Sequence, residues 1–198
     1  MIGTLPRAAF GGTQMTIENP YGGLGAAASL GIKRKIFVSY HHGGDQQYYE
    51  TFSKTFADTY DMIYDNSLER KIDSDDAEYI LRQIREKYLT GTSCTVVLVG
   101  ASTWGRKFVD WEIEATLQKQ HGLIGLVLPT LPIVNNTANI PDRFWDNVSS
   151  GYAHWQMWSD LLARPRLLTT WITEATAKDK ALEHISAESN RGFPILLS

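Results

Sequence analysis

Apolar positions in this chain fall into two alternating rhythms. "RKIFVSY", from residue 34, is a short run in which Ile36, Phe37, Val38 and Tyr40 suit a strand. "HHGGD" breaks the extended run, and "QQYYETFSKTFADTY" resumes with Tyr48, Phe52, Phe56 and Tyr60 at i,i+4 spacing, which predicts a helix. "DMIYD" is a second short strand candidate, followed by the polar loop "NSLERKIDSDD". Asp73 or Ser74 is placed to cap the next helix, "AEYILRQIREKYL", whose Ala77, Ile80, Ile84 and Tyr88 mark one face with Leu81 beside it. Gly91 ends that helix by freeing the backbone. "SCTVVLVG" is short and apolar almost throughout, the pattern of a strand buried on both faces. A helix near 106–120 follows, then "GLIGLVLP", which Pro129 and Pro132 terminate. Beyond residue 133 the pattern is less regular, with one more strand near "YAHWQM" and a late helix in "RLLTTWITEATAKD", where Leu167, Leu168, Trp171, Ile172 and Ala175 share a broad face.

Strand–helix alternation with short connections predicts an α/β protein, a parallel sheet covered on both faces with right-handed crossovers. Residues 1–33, rich in Gly, Ala, Thr and Pro, read as a flexible or surface-draped arm, and 34–198 as a single domain without internal repeats.

Composition narrows the function. The 198 residues are 43% hydrophobic, enough for one sizeable core. A formal net charge of -3 gives no general pull toward nucleic acid or an anionic membrane. One cysteine, Cys94, excludes an intrachain disulfide and suits a quiet core position. The start lacks a basic segment followed by a continuous apolar one, and no run reaches about 18 apolar residues, so a cytoplasmic protein is the expectation. No G-x-x-x-x-G-K-[ST] is present, and "YGGLGAAASLG" has neither a strand before it nor a compact helix after it, which argues against nucleotide loops of those kinds. His121, His154 and His184 are scattered and His41 and His42 are adjacent, so no metal site is expected.

In a parallel sheet of this class, ligands bind beyond the C-terminal strand ends, near a reversal of strand order. Three segments therefore matter: "SYHHGGD", "DNSLERKIDSDD" and "GASTWGRKFVDWE". In the helix after the third, Glu112 sits between two apolar sets, Phe108, Trp111 and Ala115 on one side and Val109, Ile113 and Leu117 on the other. By spacing alone it is an ordinary acid in a helix's first turn, favoured by the dipole by about 0.3–1 kcal/mol. Asp45 reads equally as the N-cap of the first helix, and Asp65 as a brace for the loop after the second strand.

"RKIFVSYHHGGD", "MIYDNS", "TSCTVVLVGASTWGRKFVDWEI" and "IPDRFWDN" resemble the bacterial TIR-like domains, most nearly the TIR proteins of Thoeris anti-phage systems, over roughly residues 34–160. The resemblance implies a flavodoxin-like TIR fold: about five parallel strands, helices on both faces, and here a C-terminal helical extension. It implies cleavage of NAD, as substrate rather than resident cofactor, at the nicotinamide–ribose bond. Some relatives cyclise or transfer the ADP-ribose into a signal that a separate effector protein reads, and a homo-oligomer or induced assembly is expected. The family's catalytic glutamate lies four residues after a tryptophan; that register falls on Glu112, with Phe108 in the tryptophan position and Trp111 adjacent. Tyr40, His41, Asp45 and Asp65 fall in loops that flank the family's nucleotide pocket, Ser102 in a region lining it, and Phe108 and Trp111 are candidates for its aromatic wall. The alternative is a non-enzymatic TIR-type adaptor or scaffold. A phosphoacceptor built on Asp45 and Asp65 is disfavoured, because "VLVG" ends the third strand without an acid.

Overall fold

The computed structural model describes residues 33–64, 76–135, 137–183 and 193–194. Its main sheet has five parallel strands: β1 (Arg34–Ser39), β2 (Tyr60–Tyr64), β3 (Cys94–Val99), β4 (Gly122–Val127) and β6 (His154–Met157), in the order β2-β1-β3-β4-β6. β5 (Thr137–Ala138) pairs antiparallel with β7 (Phe193–Pro194) in a separate two-stranded sheet. Strands this short carry no readable period and are not predicted from the pattern of residues. The expected arm over residues 1–33 lies outside the described residues except for Lys33.

The helices are α1 (His42–Phe56), α2 (Ala77–Gln83), α3 (Lys107–Gln118), α4 (Asp142–Ser149), α5 (Trp158–Ala163) and α6 (Leu167–Thr176). A π-helical turn, Ile84–Tyr88, continues α2. None of these helices is long and apolar enough to cross a membrane.

Side chains that alternate along the strands feed cores on opposite faces. Ile36 and Val38 of β1 and Cys94, Val96 and Leu98 of β3 pack with Phe52 and Phe56 of α1 and Leu168, Trp171 and Ile172 of α6. On the other face, Val97 and Val99 pack with Val109, Ile113 and Leu117 of α3 and Phe144 of α4. Phe37 joins Ile80, Leu81 and Ile84 beneath the α2 segment, with Ala115 of α3. A buried strand core at 0% exposure throughout is what "CTVVLV" demands, since only a sheet covered on both sides removes every one of those side chains from water.

The order of the elements follows the sequence, but several boundaries move. α1 starts at His42, not at Gln46, so Gly43 and Gly44 are helical and Asp45 lies inside the first turn; His41 holds the cap position. The periodic run does not extend to Tyr60, which opens β2. Tyr60 repeats the i+4 spacing only because a three-residue turn happens to return it to the same core. Asp76 caps α2, accepting hydrogen bonds from the Glu78 N–H at 3.0 Å and the Tyr79 N–H at 3.2 Å. Asp73 and Ser74 lie outside the described residues, and Ala77 is exposed rather than on the core face. Glu112 falls in the second turn of α3; Asp110 is the acid of the first.

β4 passes close over α4 at Gly125. A Cβ there would stand 2.3 Å from Cζ of Phe144, a ring with no exposure and nowhere to retreat. Gly125→Ala should therefore cost about 1–3 kcal/mol through overpacking. Urea denaturation should show a lower midpoint at an unchanged slope.

Candidate active site

The chain runs from β1 outward to β2, then returns across β1 to β3, so strand order reverses between β1 and β3. Sheets of this class bind ligands beyond the strand ends at such a reversal, which here is the region past Ser39 and Val99. Two connections meet there: Tyr40–His41, leading into α1, and Gly100–Arg106, leading into α3.

A buried polar junction ties these connections together. Thr103 accepts a hydrogen bond from the Gly100 N–H at 2.8 Å. Its own proton is shared between Asp45 Oδ2 and the Leu98 carbonyl, each 3.3 Å away. Gly100 is required: a Cβ there would lie 2.2 Å from Asp45 Oδ1. Asp45 is 2% exposed, and burial raises its carboxyl above the ordinary value of 3.8, against the pull of Thr103, the charge of His41 and the Thr130 hydroxyl. Asp45 thus braces the β3–α3 connection from the first turn of α1.

The other sequence-selected residues divide between the two faces. Tyr40 stacks on Tyr49 at 4.6 Å between ring centroids, on the α1 side, and donates its hydroxyl proton to Gln46 Oε1 at 2.8 Å. The His41 ring covers the start of α1, such that Cβ atoms at Gly43 and Gly44 would come within 3.3 Å of it. Ser102 lies beside Gly44, its Oγ 3.8 Å from the Cβ position of that glycine. Phe108 and Trp111 meet edge to face at 5.2 Å and pack against the core beneath α2. Asp65 lies outside the described residues.

Glu112 is 5% exposed. One turn further along the same stripe, Thr116 Oγ1 lies 2.7 Å from Thr95 Oγ1 on β3, which fixes that stripe as the one facing the sheet. Glu112 therefore belongs to the sheet-facing stripe of α3, one turn nearer the strand ends than Thr116. On the flank of α3 away from α2, Arg143 binds both oxygens of Asp110 at 3.0 Å and reaches Glu114 Oε2 at 3.0 Å. Burial raises the Glu114 carboxyl, and the Arg143 charge opposes that rise. A groove of about 550 Å³ opens on this flank, its walls including Trp104, Arg106, Lys107 and Asp142, but not Glu112. Among the described residues no cluster of His, Cys, Asp or Glu is gathered to hold a metal ion.

Residues 37–132 match the family model described as Thoeris protein ThsB, TIR-like domain. The chain carries a TIR-like domain related to that of Thoeris ThsB. No curated protein matches it. The matched span begins in β1 and ends after β4, so it contains the reversal between β1 and β3, the Asp45–Thr103 junction and all of α3.

Sequence reasoning missed Ser39, Thr95, Thr103, Thr116 and Arg143 in this TIR-like domain. A signal existed for the strand residues: Ser39 and Thr95 are hydroxyl side chains in otherwise apolar runs. A polar group at an inward register is costly unless it is bonded or used.

Because the folded protein holds the Asp45 proton to a higher pH than the unfolded chain does, the carboxyl weakens stability as pH climbs through that interval, starting near 3.8, and the loss is complete above the raised folded value. Asp45→Asn keeps an acceptor for Thr103 and removes the charge. The variant should match wild type at pH 3 and exceed it in stability at pH 7, as measured by urea midpoints across that range.

Proposed function

We propose that this TIR-like domain cleaves the nicotinamide–ribose bond of NAD, with Glu112 as the group that stabilises the reacting sugar. Nicotinamide departs from NAD as a neutral molecule, taking the bonding pair onto its positively charged ring nitrogen, so no acid is needed to protonate it. The difficult species is the cation-like ribose left behind. A fixed carboxylate beside it offsets the developing charge and orients the sugar hydroxyls, and in a site shielded from water such a charge acts more strongly than in solution. The arrangement is half of a glycosidase carboxylate pair, the proton-donating half being unnecessary.

The observation that carries this reading is the placement of Glu112. It belongs to the buried, sheet-facing stripe of α3, near the strand reversal, inside the span that matches the ThsB family. Water attacking the anomeric carbon yields ADP-ribose and a proton; an adenine nitrogen attacking it instead yields a cyclic product. In this reading the product is a signal in antiviral defence, consistent with the Thoeris description of the family, and a separate protein responds to it.

One observation favours a non-enzymatic TIR scaffold instead. Phe108 stands where the resemblance calls for tryptophan, and its ring packs against Trp111 and the α2 core.

Nicotinamide release distinguishes the two. Wild type incubated with NAD, with its assembly state controlled, should release nicotinamide. Glu112→Gln should lose about 100-fold or more of that rate, the usual scale for removing a charge aimed at the transition state. Glu114→Gln should keep wild-type turnover within about threefold, because its carboxylate serves Arg143. Equal rates in all three proteins, or none in wild type under assembled conditions, would remove the enzymatic reading.

A further inference from the structure

Ser39 ends β1 at the strand reversal and shares the face of Phe37, since Ile36, Val38 and Tyr40 enter the α1-side core. In the parallel ladder Phe37 pairs with Thr95 and Ser39 with Val97. Thr116 of α3 contacts Thr95, and Glu112 lies one turn closer to the strand ends. A helical turn rises about 5.4 Å and two strand residues about 6.6 Å, so Ser39 and Glu112 stand at nearly the same height on the same face of the sheet.

The Ser39 hydroxyl is also an anomaly of packing. Ser39 is 1% exposed, and its Oγ makes no hydrogen bond. A buried hydroxyl without a partner destabilises a fold, and alanine at this position would avoid that cost. By contrast, the hydroxyls one level lower, Thr95 and Thr116, satisfy each other at 2.7 Å.

We propose that Ser39 is a substrate-binding residue, whose hydroxyl bonds a hydroxyl of the nicotinamide-side ribose next to Glu112. This rests on the NAD-cleaving reading. A sugar hydroxyl both donates and accepts, as does serine, so one contact satisfies an Oγ that the protein itself leaves unbonded. Binding at this point holds the sugar against the carboxylate without taking part in bond breaking.

The test opposes stability to affinity. Without nucleotide, Ser39→Ala should unfold at the same urea concentration as wild type or a higher one. In nicotinamide-release assays its KM for NAD should rise about tenfold, with kcat changed by less than about threefold. In the Glu112→Gln background, where turnover is suppressed, the same serine change should weaken NAD binding by a similar factor, read by calorimetry. Ser39→Thr, which keeps a hydroxyl, should recover part of the affinity. Unchanged KM and binding in Ser39→Ala beside an active wild type would overturn the role of Ser39 and leave NAD cleavage standing. So would a Ser39→Ala protein that unfolds at clearly lower urea, because the hydroxyl would then serve the fold. A wild type that neither binds nor cleaves NAD would overturn both readings.

Discussion

The geometry of α3 constrains everything near the crevice. This helix carries two apolar sets that go to different cores, Val109, Ile113 and Leu117 against β3 and β4, and Ala115 with Phe108 and Trp111 beneath α2. Burying both sets turns the stripe between them directly onto the sheet. That stripe holds Glu112 and Thr116. The hydrophobic effect is indifferent to a carboxylate's purpose, yet it drives this one out of water: each fully buried apolar side chain favours that orientation by about 1.5–3 kcal/mol. Glu112 is carried inward by its neighbours. A chain under pressure for stability alone has cheaper residues for such a position.

Holding the helix at the right height is a second requirement, met by polar contacts. Thr95 and Thr116 pin the last turn of α3 to β3. The entry to the helix is held by Thr103, which bonds the Gly100 N–H and the carboxylate of Asp45 across the top of β3. Asp45 reaches that point only because α1 begins early, with two glycines in its first turn and the His41 ring folded over them. The raised carboxyl of Asp45 marks stability surrendered at this junction. Such a cost is typical of a connection kept in one geometry beside a binding crevice.

Large features were legible in the sequence because they rest on long or strongly patterned runs. "CTVVLV" and "GLIGLV" are readable as buried strands, and α3 and α6 as helices with broad apolar faces, since many side chains vote for one period. The parallel sheet was legible from the alternation and from resemblance, whereas the order of its strands, β2-β1-β3-β4-β6, is visible only in the structure. Local detail escaped for a different reason. Nothing in "HHGGD" announces a helix start, because glycine disfavours helix by about 1 kcal/mol per residue and only the tertiary bond from Thr103 to Asp45 rewards it. The reading of Asp45 as an N-cap failed for the same cause: a capping acid and a bracing acid have the same spelling, and they differ only in a partner far away in the sequence. Glu112 was legible as a register position, whereas its burial became visible only once α2 and the sheet enclosed both sides of α3.

The α3 face of the sheet shows how one surface divides between stability and chemistry. At the level of Thr95 the polar groups are closed on each other and contribute to holding the helix. Two strand residues higher, at the level of Ser39, a hydroxyl is sealed from water without a bond. Both levels are built from the same strands and the same helix stripe, so the difference cannot come from fold class. It comes from position along the strands: only the upper level borders the reversal of strand order, where neighbouring connections part in opposite directions. In the proposed reaction that is the level of the ribose. The unbonded hydroxyl of Ser39 would then be a cost of the folded state that a ligand beside Glu112 offsets.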